Sequence, residues 1–305
     1  MKIHWKGVYP ALTTPFTEDD RIDYAVFEKN LHAQMDAGVD GVILGGTLGE
    51  ASSLLNEEKY DLVRFTVEKT AGRIPVVMNI AEQTTRAAIA AARAAEDCGA
   101  SGLMLLPPMR YKADDRETLE YFRAVAEAGP LPIMIYNNPV DYKIEVTPRM
   151  FDSLLKHDTI QAVKESTRDL ANVTRLINAF GDRLKILTGV DTIATEALIM
   201  GAHGWVAGLV NAFPAETVAI YQLIKQGRIE EARQIHRWFL PILELDIHPQ
   251  LVQNIKLAEH MTGLGTEHVR LPRKPLTGTE RARVIRIVEE GLATRPTLPQ
   301  INNHA

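Results

Sequence analysis

The chain has 305 residues, 46% of them hydrophobic, enough for one large core or for a core domain with a smaller appendage. Its 39 acidic and 34 basic side chains give a formal charge of -5 without long runs of one sign, so no nucleic-acid partner is expected. No stretch approaches the roughly 18 to 20 apolar residues that cross a bilayer and the opening residues lack an apolar secretory core, so no membrane partner is expected either. The single cysteine, Cys98, cannot form an internal disulfide, which suits a reducing, cytoplasmic setting.

Short β-rich runs recur roughly every 25 to 30 residues, each followed by a segment of helical periodicity. The first, Gly7 to Thr14, precedes a helix over Tyr24 to Ala37, and Gly41 to Gly46 precedes one over Glu57 to Thr70. Pro75 to Ile80 leads into Thr84 to Cys98, and Gly102 to Leu106 into Arg116 to Ala128. Pro132 to Tyr136 is the fifth run, and Ile160 to Lys164 the sixth, with a helix over Asp169 to Phe180 after it. Leu184 to Thr188, a helix over Thr192 to Met200, and Trp205 to Leu209 complete the series. Eight βα units imply a closed (β/α)₈ TIM barrel rather than an open doubly wound sheet. After Val210 no further strand candidate appears, and helices are expected over Pro214 to Lys225, Ile229 to Leu245, Pro249 to Thr262 and Thr279 to Ala293. The expected division is a barrel over residues 1–225 and a C-terminal helical appendage over 226–305.

In such a barrel, chemistry gathers at the C-terminal strand ends. The residues closing the eight runs include Thr13, Thr14, Thr47, Asn79, Tyr136, Lys164, Gly189, Asp191 and Gly208. Lys164 is the distinctive one. A lysine ending a buried strand is costly unless used, and desolvation lowers its pKa toward that of an amine nucleophile able to form a Schiff base. The alternative is a lysine that snorkels into water. Tyr136 could carry protons for such an amine, because a phenol both donates and accepts; as a structural residue it would be a half-buried aromatic with a local partner. The turn Gly45-Gly46-Thr47-Leu48-Gly49-Glu50 can bring backbone amides close to a small carboxylate, or be no more than a glycine turn. No histidine, cysteine or carboxylate set stands at metal-ligand spacing, so no metal is expected.

Taken in order, Gly46-Thr47-Leu48-Gly49-Glu50, Tyr136-Asn137-Asn138-Pro139, Val163-Lys164-Glu165-Ser166 and Gly189-Val190-Asp191 resemble the dihydrodipicolinate synthase and N-acetylneuraminate lyase family. The resemblance extends into the tail, at Ile255-Lys256-Leu257-Ala258 and Val269-Arg270-Leu271-Pro272. It implies a TIM barrel with Lys164 as Schiff-base lysine, Tyr136 as the phenol near the imine, and Thr47 holding a 2-oxo acid carboxylate with the loop amides around Gly46, Leu48 and Gly49. No cofactor beyond the covalent lysine adduct is implied. Gly189, Asp191 and Gly208 fall to the substrate pocket by their strand-end positions, and a homotetramer built as a pair of dimers is the implied assembly.

Three departures bear on the reaction. Synthases carry a second threonine where Leu48 stands, a tyrosine reaching into the neighbouring subunit's site where Met109 stands, and a carboxylate-binding arginine where Asp141 stands. The expected consequence is a broken phenol relay and loss of the second substrate's anchor, with Asp141 free to bind a substrate amine or hydroxyl. The stretches Pro108-Met109-Arg110-Tyr111-Lys112 and Tyr136 to Val140 are similar to members that deaminate 4-hydroxy-1-pyrroline-2-carboxylate. The leading expectation is therefore a one-substrate dehydrating deaminase yielding 2,5-dioxopentanoate. A pyruvate-dependent aldolase or dihydrodipicolinate synthase, a sugar-acid dehydratase, and a non-catalytic barrel that binds a 2-oxo acid are the alternatives.

Overall fold

Aliphatic runs without polar alternation become strands buried on both faces, as parallel strands beneath crossover helices must be. In the computed structural model, which describes residues 2–301, these are β1 (Gly7–Pro10), β2 (Val42–Leu44), β3 (Val76–Ile80), β4 (Gly102–Leu105), β5 (Ile133–Asn137), β6 (Ile160–Glu165), β7 (Lys185–Thr188) and β8 (Gly204–Ala207). Only Gln161 and Lys185 among their residues are not fully buried. From β2 to β8 each strand pairs in parallel with its sequence neighbour, and β8 returns to β1. The remaining seam closes where Ala11 pairs with Ile43 and the Leu12 amide donates to the Ile43 carbonyl at 2.9 Å. The TIM barrel read from the sequence is the observed architecture.

Helices α1 (Tyr24–Ala37), α2 (Asn56–Thr70), α3 (Thr85–Asp97) and α4 (Asp115–Ala126) follow the first four strands. Side chains cap three of them: Asp23 accepts from the Val26 amide, Thr84 from Ala87, and Asp114 from Glu117. After β5 come two helices absent from the sequence-based assignment, α5 (Pro139–Tyr142) and α6 (Pro148–Leu154). Both are too short to show a periodic apolar stripe, but each starts on a proline preceded by a capping side chain, Asn138 or Thr147. Helices α7 (Leu170–Phe180), α8 (Ala194–Ile199) and α9 (Pro214–Lys225) complete the outer layer.

The tail comprises α10 (Ile229–Leu243), a 3₁₀ turn at Glu244–Ile247, α11 (Leu251–Met261) and α12 (Gly278–Ala293). Its core continues that of the barrel: Phe213 meets Phe239 edge-on at 5.4 Å, and Ile235, Phe239 and Ile242 are buried. Residues 302–305 of the expected appendage lie outside the described residues.

Polar contacts fasten the tail to the barrel mouth. Lys256 Nζ sits 2.7 Å from Glu50 Oε1 with both side chains fully buried, donates to the Thr14 carbonyl at 2.8 Å, and lies 4.6 Å from the centre of the Phe16 ring. Thr13 donates to Glu259 at 2.8 Å, and Arg270 pairs with Glu58 at 2.7 Å while its amide donates to Glu50. Thr13 and Thr14, expected in the first strand, therefore lie beyond it and anchor the tail. Among the described residues no helix is long and apolar enough to cross a membrane.

Candidate active site

Parallel register sets Tyr136, Lys164 and Leu187 side by side, with Asn137, Glu165 and Thr188 one step further toward the mouth. Lys164 is only 7% exposed, and its Nζ lies 4.1 Å from the centre of the Tyr136 ring. Burial lowers its pKa, while the carboxylates of Asp246, Asp191 and Asp141 pull the other way. The lysine has room because residue 189 is glycine. A Cβ there would fall 2.5 Å from Lys164 Cε and 2.3 Å from Ser166 Oγ.

Next to Lys164, burial pushes the Tyr136 phenol up to about 12, against hydrogen bonds from Asn138 and Tyr142 that hold it down. Asn138 Nδ2 donates to the Tyr136 oxygen at 3.3 Å and to Asp141 Oδ2 at 2.7 Å. The loop after β5 is held by Asn137, whose side chain accepts from the Val146 amide and donates to its carbonyl. Glu165, buried behind the lysine, accepts from the Thr167 amide and from Asn172, fixing the loop after β6.

A cavity of about 80 Å³ opens above these groups. Of the sequence-assigned residues, Lys164, Tyr136, Thr47, Gly46, Leu48, Asp141, Gly189 and Gly208 line it. Gly49 and Asp191 do not. Gly49 packs behind the loop, where a Cβ would stand 3.0 Å from the Leu12 carbonyl. Asp191 is buried in the wall, its carboxylate accepting from Trp205 Nε1 at 2.9 Å and from the amides of Gly208 and Leu209 at 3.1 and 2.8 Å. Its geometry is that of a clamp between the ends of β7 and β8, so the structure moves it from the pocket to the scaffold. The amides of Thr47 and Leu48 meet no acceptor among the described residues, which leaves them available to an anion.

Among the other residues that line the cavity, four bring hydroxyls or charges that had no role assigned from the sequence. Ser166 presents a buried hydroxyl that has no hydrogen-bond partner among the described residues. Arg168, held in a left-handed conformation at φ 65°, stands at the exposed rim. Asp246 enters from the tail turn, and Gly208 makes way for it, since a Cβ there would lie 2.6 Å from its Oδ1. Burial raises the Asp246 carboxyl to about 8, with Asp191 adding to the effect and Lys164 opposing it. The fourth is Tyr142, the last residue of α5, whose hydroxyl lies 3.0 Å from Thr47 Oγ1 and whose ring meets Tyr136 edge-on at 5.4 Å. A second phenol thus stands beside Thr47 within this chain. Met109 lines a neighbouring cavity, and Tyr111 points to solvent at 55% exposure.

A family model described as the dihydrodipicolinate synthetase family matches residues 4–291. The 4-hydroxy-tetrahydrodipicolinate synthase of Exiguobacterium sibiricum is 34% identical over 271 residues, which cover 88% of this chain and 92% of that protein. The solved 4-hydroxy-tetrahydrodipicolinate synthase of Methylacidiphilum fumariolicum SolV is similar with a TM-score of 0.88 and 30% identity, over 94% of this chain and 97% of that one. A prophage protein of the dihydrodipicolinic acid synthase family from E. coli K12, solved in complex with pyruvate, has a TM-score of 0.89 and 25% identity, over 95% and 99% of the two chains. Chemistry in this family rests on a covalent lysine Schiff base, with no metal or other cofactor. A match running from before the first barrel strand into the last tail helix, over the same fold, means that the chain belongs to the dihydrodipicolinate synthetase family and is a lysine Schiff-base lyase.

Proposed function

We propose that the chain joins a 2-oxo acid of the pyruvate type to Lys164 and makes or breaks a carbon–carbon bond beside the resulting imine, as an aldolase or a dihydrodipicolinate synthase does. The observation that carries the reading is the desolvated Lys164 amine facing a phenol. The names of the relatives and the pyruvate bound to the E. coli neighbour favour pyruvate over other 2-oxo acids.

In this reading the neutral Lys164 amine attacks C2, and the carbonyl oxygen takes a proton from Tyr136 to give a carbinolamine. Loss of that oxygen as water leaves a protonated imine. The cation acidifies C3, whose proton passes to the Tyr136 oxygen, left as phenolate by donating to the departing water, to give an enamine. The enamine carbon adds to an aldehyde whose oxygen takes that proton back. The substrate carboxylate meets Thr47 and the free amides of Thr47 and Leu48, with the Ser166 hydroxyl, unpartnered among the described residues, available beside Gly189. Arg168 supplies a cation at the rim that Asp141 does not, so an acceptor bearing a carboxylate keeps a counter-charge.

Dehydrating deamination of 4-hydroxy-1-pyrroline-2-carboxylate is the second reading, and Asp246 favours it. Departure of a hydroxyl needs a proton donor, and a carboxyl that holds its proton up to about 8 is one. Lys164 would open the ring at C2, C3 would lose a proton as the 4-hydroxyl leaves with one from Asp246, and hydrolysis would release ammonia and 2,5-dioxopentanoate. A sugar-acid dehydratase would use the same groups. We also propose that the chain assembles as a homotetramer.

Borohydride trapping with peptide mapping separates the two reactions, with pyruvate and the pyrroline supplied in parallel and ammonia followed in untrapped samples. A pyruvate adduct on Lys164 without ammonia release is the expected result. Ammonia released from the pyrroline would give the protein to the second reading. An adduct on another lysine would remove Lys164 from the chemistry.

A further inference from the structure

The ends of β7 and β8 leave one side of the lysine chamber without side chains of their own. Each strand hands over to a glycine, Gly189 and Gly208, and both line the cavity beside Lys164. The space over Gly208 is taken instead by Asp246, which arrives from the 3₁₀ turn at Glu244–Ile247 in the tail.

The turn is held in place from α11. Leu245 is buried, and the fully buried Asn254 donates to its carbonyl at 3.1 Å. Asp246 takes no part in this bonding. An aspartate in a turn ordinarily accepts from a nearby amide, yet this carboxyl accepts from none of the described residues. Its acidic neighbours are engaged: Asp191 by Trp205 and the amides of Gly208 and Leu209, and Asp141 by Asn138 at 2.7 Å. Among the described residues Asp246 is therefore the carboxyl of this cavity whose oxygens are left for a ligand.

Its position says which part of a ligand it meets. A 2-oxo acid on Lys164 has C2 at the end of β6, its carboxylate toward the loop after β2, and Tyr136 alongside on β5. C3 carries only hydrogens, so C4 is the first carbon whose substituent a side chain can distinguish, and the β7–β8 side is where the glycines leave room for it. Both proposed reactions place an oxygen on C4, as the former aldehyde oxygen in one and as the ring hydroxyl in the other. Burial holds the Asp246 proton up to about 8, so near neutral pH the group offers one donor and one acceptor, as a hydroxyl does in return.

We propose that Asp246 is a specificity-determining residue of this site, which hydrogen-bonds the oxygen on C4 of a ligand held by Lys164 and makes the tail turn a part of substrate selection. The inference rests on the Schiff-base reading of Lys164 and narrows it. The barrel supplies the reacting amine and the cradle for the carboxylate, and the turn after α10 tests the next oxygen along. A ligand with only hydrogens at C4 leaves the carboxyl desolvated and without a partner, which is the source of the discrimination.

Borohydride trapping of 4-hydroxy-2-oxopentanoate and of 2-oxopentanoate, at equal subsaturating concentrations, isolates the contact, because the two acids differ only in the C4 hydroxyl. Adduct on Lys164 is followed by peptide mass, summed over intact, dehydrated and cleaved forms. The parent should trap the hydroxy acid at least about 10-fold faster than the deoxy acid. In Asp246→Leu, similar in size but unable to hydrogen-bond, the two rates should come within about threefold of each other, while Asp246→Asn, which keeps a donor and an acceptor, should hold an intermediate ratio. Each ratio is taken within one protein, so a general loss of lysine reactivity cancels. Equal trapping of the two acids by the parent, trapping of pyruvate but of neither five-carbon acid, or an undiminished ratio in Asp246→Leu would overturn the role of Asp246 and leave Lys164 as the Schiff-base residue. Absence of any Lys164 adduct in the parent, with pyruvate included, would instead remove the underlying reading and this inference with it.

Discussion

At Gly189 a single hydrogen decides where the nucleophile stands. A methyl in its place would press to 2.5 Å from Lys164 Cε and 2.6 Å from its Cγ, and to 2.3 Å from Ser166 Oγ. Both neighbours are side chains that can swing, so Gly189→Ala is expected to fold and to misplace the amine. The rate of borohydride-trappable adduct formation should fall on the order of 10²-fold, with circular dichroism unchanged; an unaltered rate would show that Lys164 does not depend on this gap. The sequence made Lys164 legible because a lysine at the end of an apolar run breaks the burial pattern. Tyr142 carried no such mark. It sits in a four-residue helix whose Asn-Asn-Pro start reads as an ordinary turn, and only the folded chain sets it against Thr47, 95 residues away. Arg168 was hidden for a related reason, since its rim position depends on a left-handed backbone that its residue type does not announce.

Among the elements, the short turn between α10 and α11 has the largest effect on the site for its size. It inserts Asp246 over Gly208 into the mouth of the barrel, where burial raises the carboxyl to about 8. The folded protein therefore keeps a proton that the unfolded chain releases at ordinary carboxyl pH. Stability is full below that range and declines as pH rises toward 8. Asp246→Asn should remove this part of the decline, so its melting temperature relative to the parent should increase between about pH 5 and pH 8. A difference that stays flat across that interval would show that Asp246 is not the titrating group. The longer helices were read well, as in α1 and α9, whose observed bounds match the expected ones. Half of the tail turn was absorbed into the expected end of α10, and Asp246 and Ile247 fell in the gap before the next expected helix. Its reach into the mouth is a tertiary fact, set by a glycine some 40 residues earlier in the chain.

For the whole molecule, alternation of apolar runs with periodic segments was enough to recover the barrel, because eight crossover units leave few other ways to bury every strand on both faces. The assembly is a different matter, since contact surfaces carry no periodic signal. One apolar face does stand out, where Ile199 and Met200 are 47% and 49% exposed beside Leu170 and Ala171. If a second copy covers this face in the proposed tetramer, Ile199→Lys should reduce the mass measured by light scattering from four chains toward two, with the fold intact. A parent protein that runs as a single chain would refute the tetramer.

The buried pair of Glu50 and Lys256 has a consequence in time. The two residues are 206 positions apart, and Glu50 ends the loop that presents Thr47. A ribosome delivers the chain from its N-terminus, so β8 can close onto β1 while the partner of Glu50 is still unmade. Until then the loop carries an acid whose counter-charge has yet to be translated. The loop that presents Thr47 thus gains its buried counter-charge only with the last fifth of the chain, after every strand of the barrel has been made.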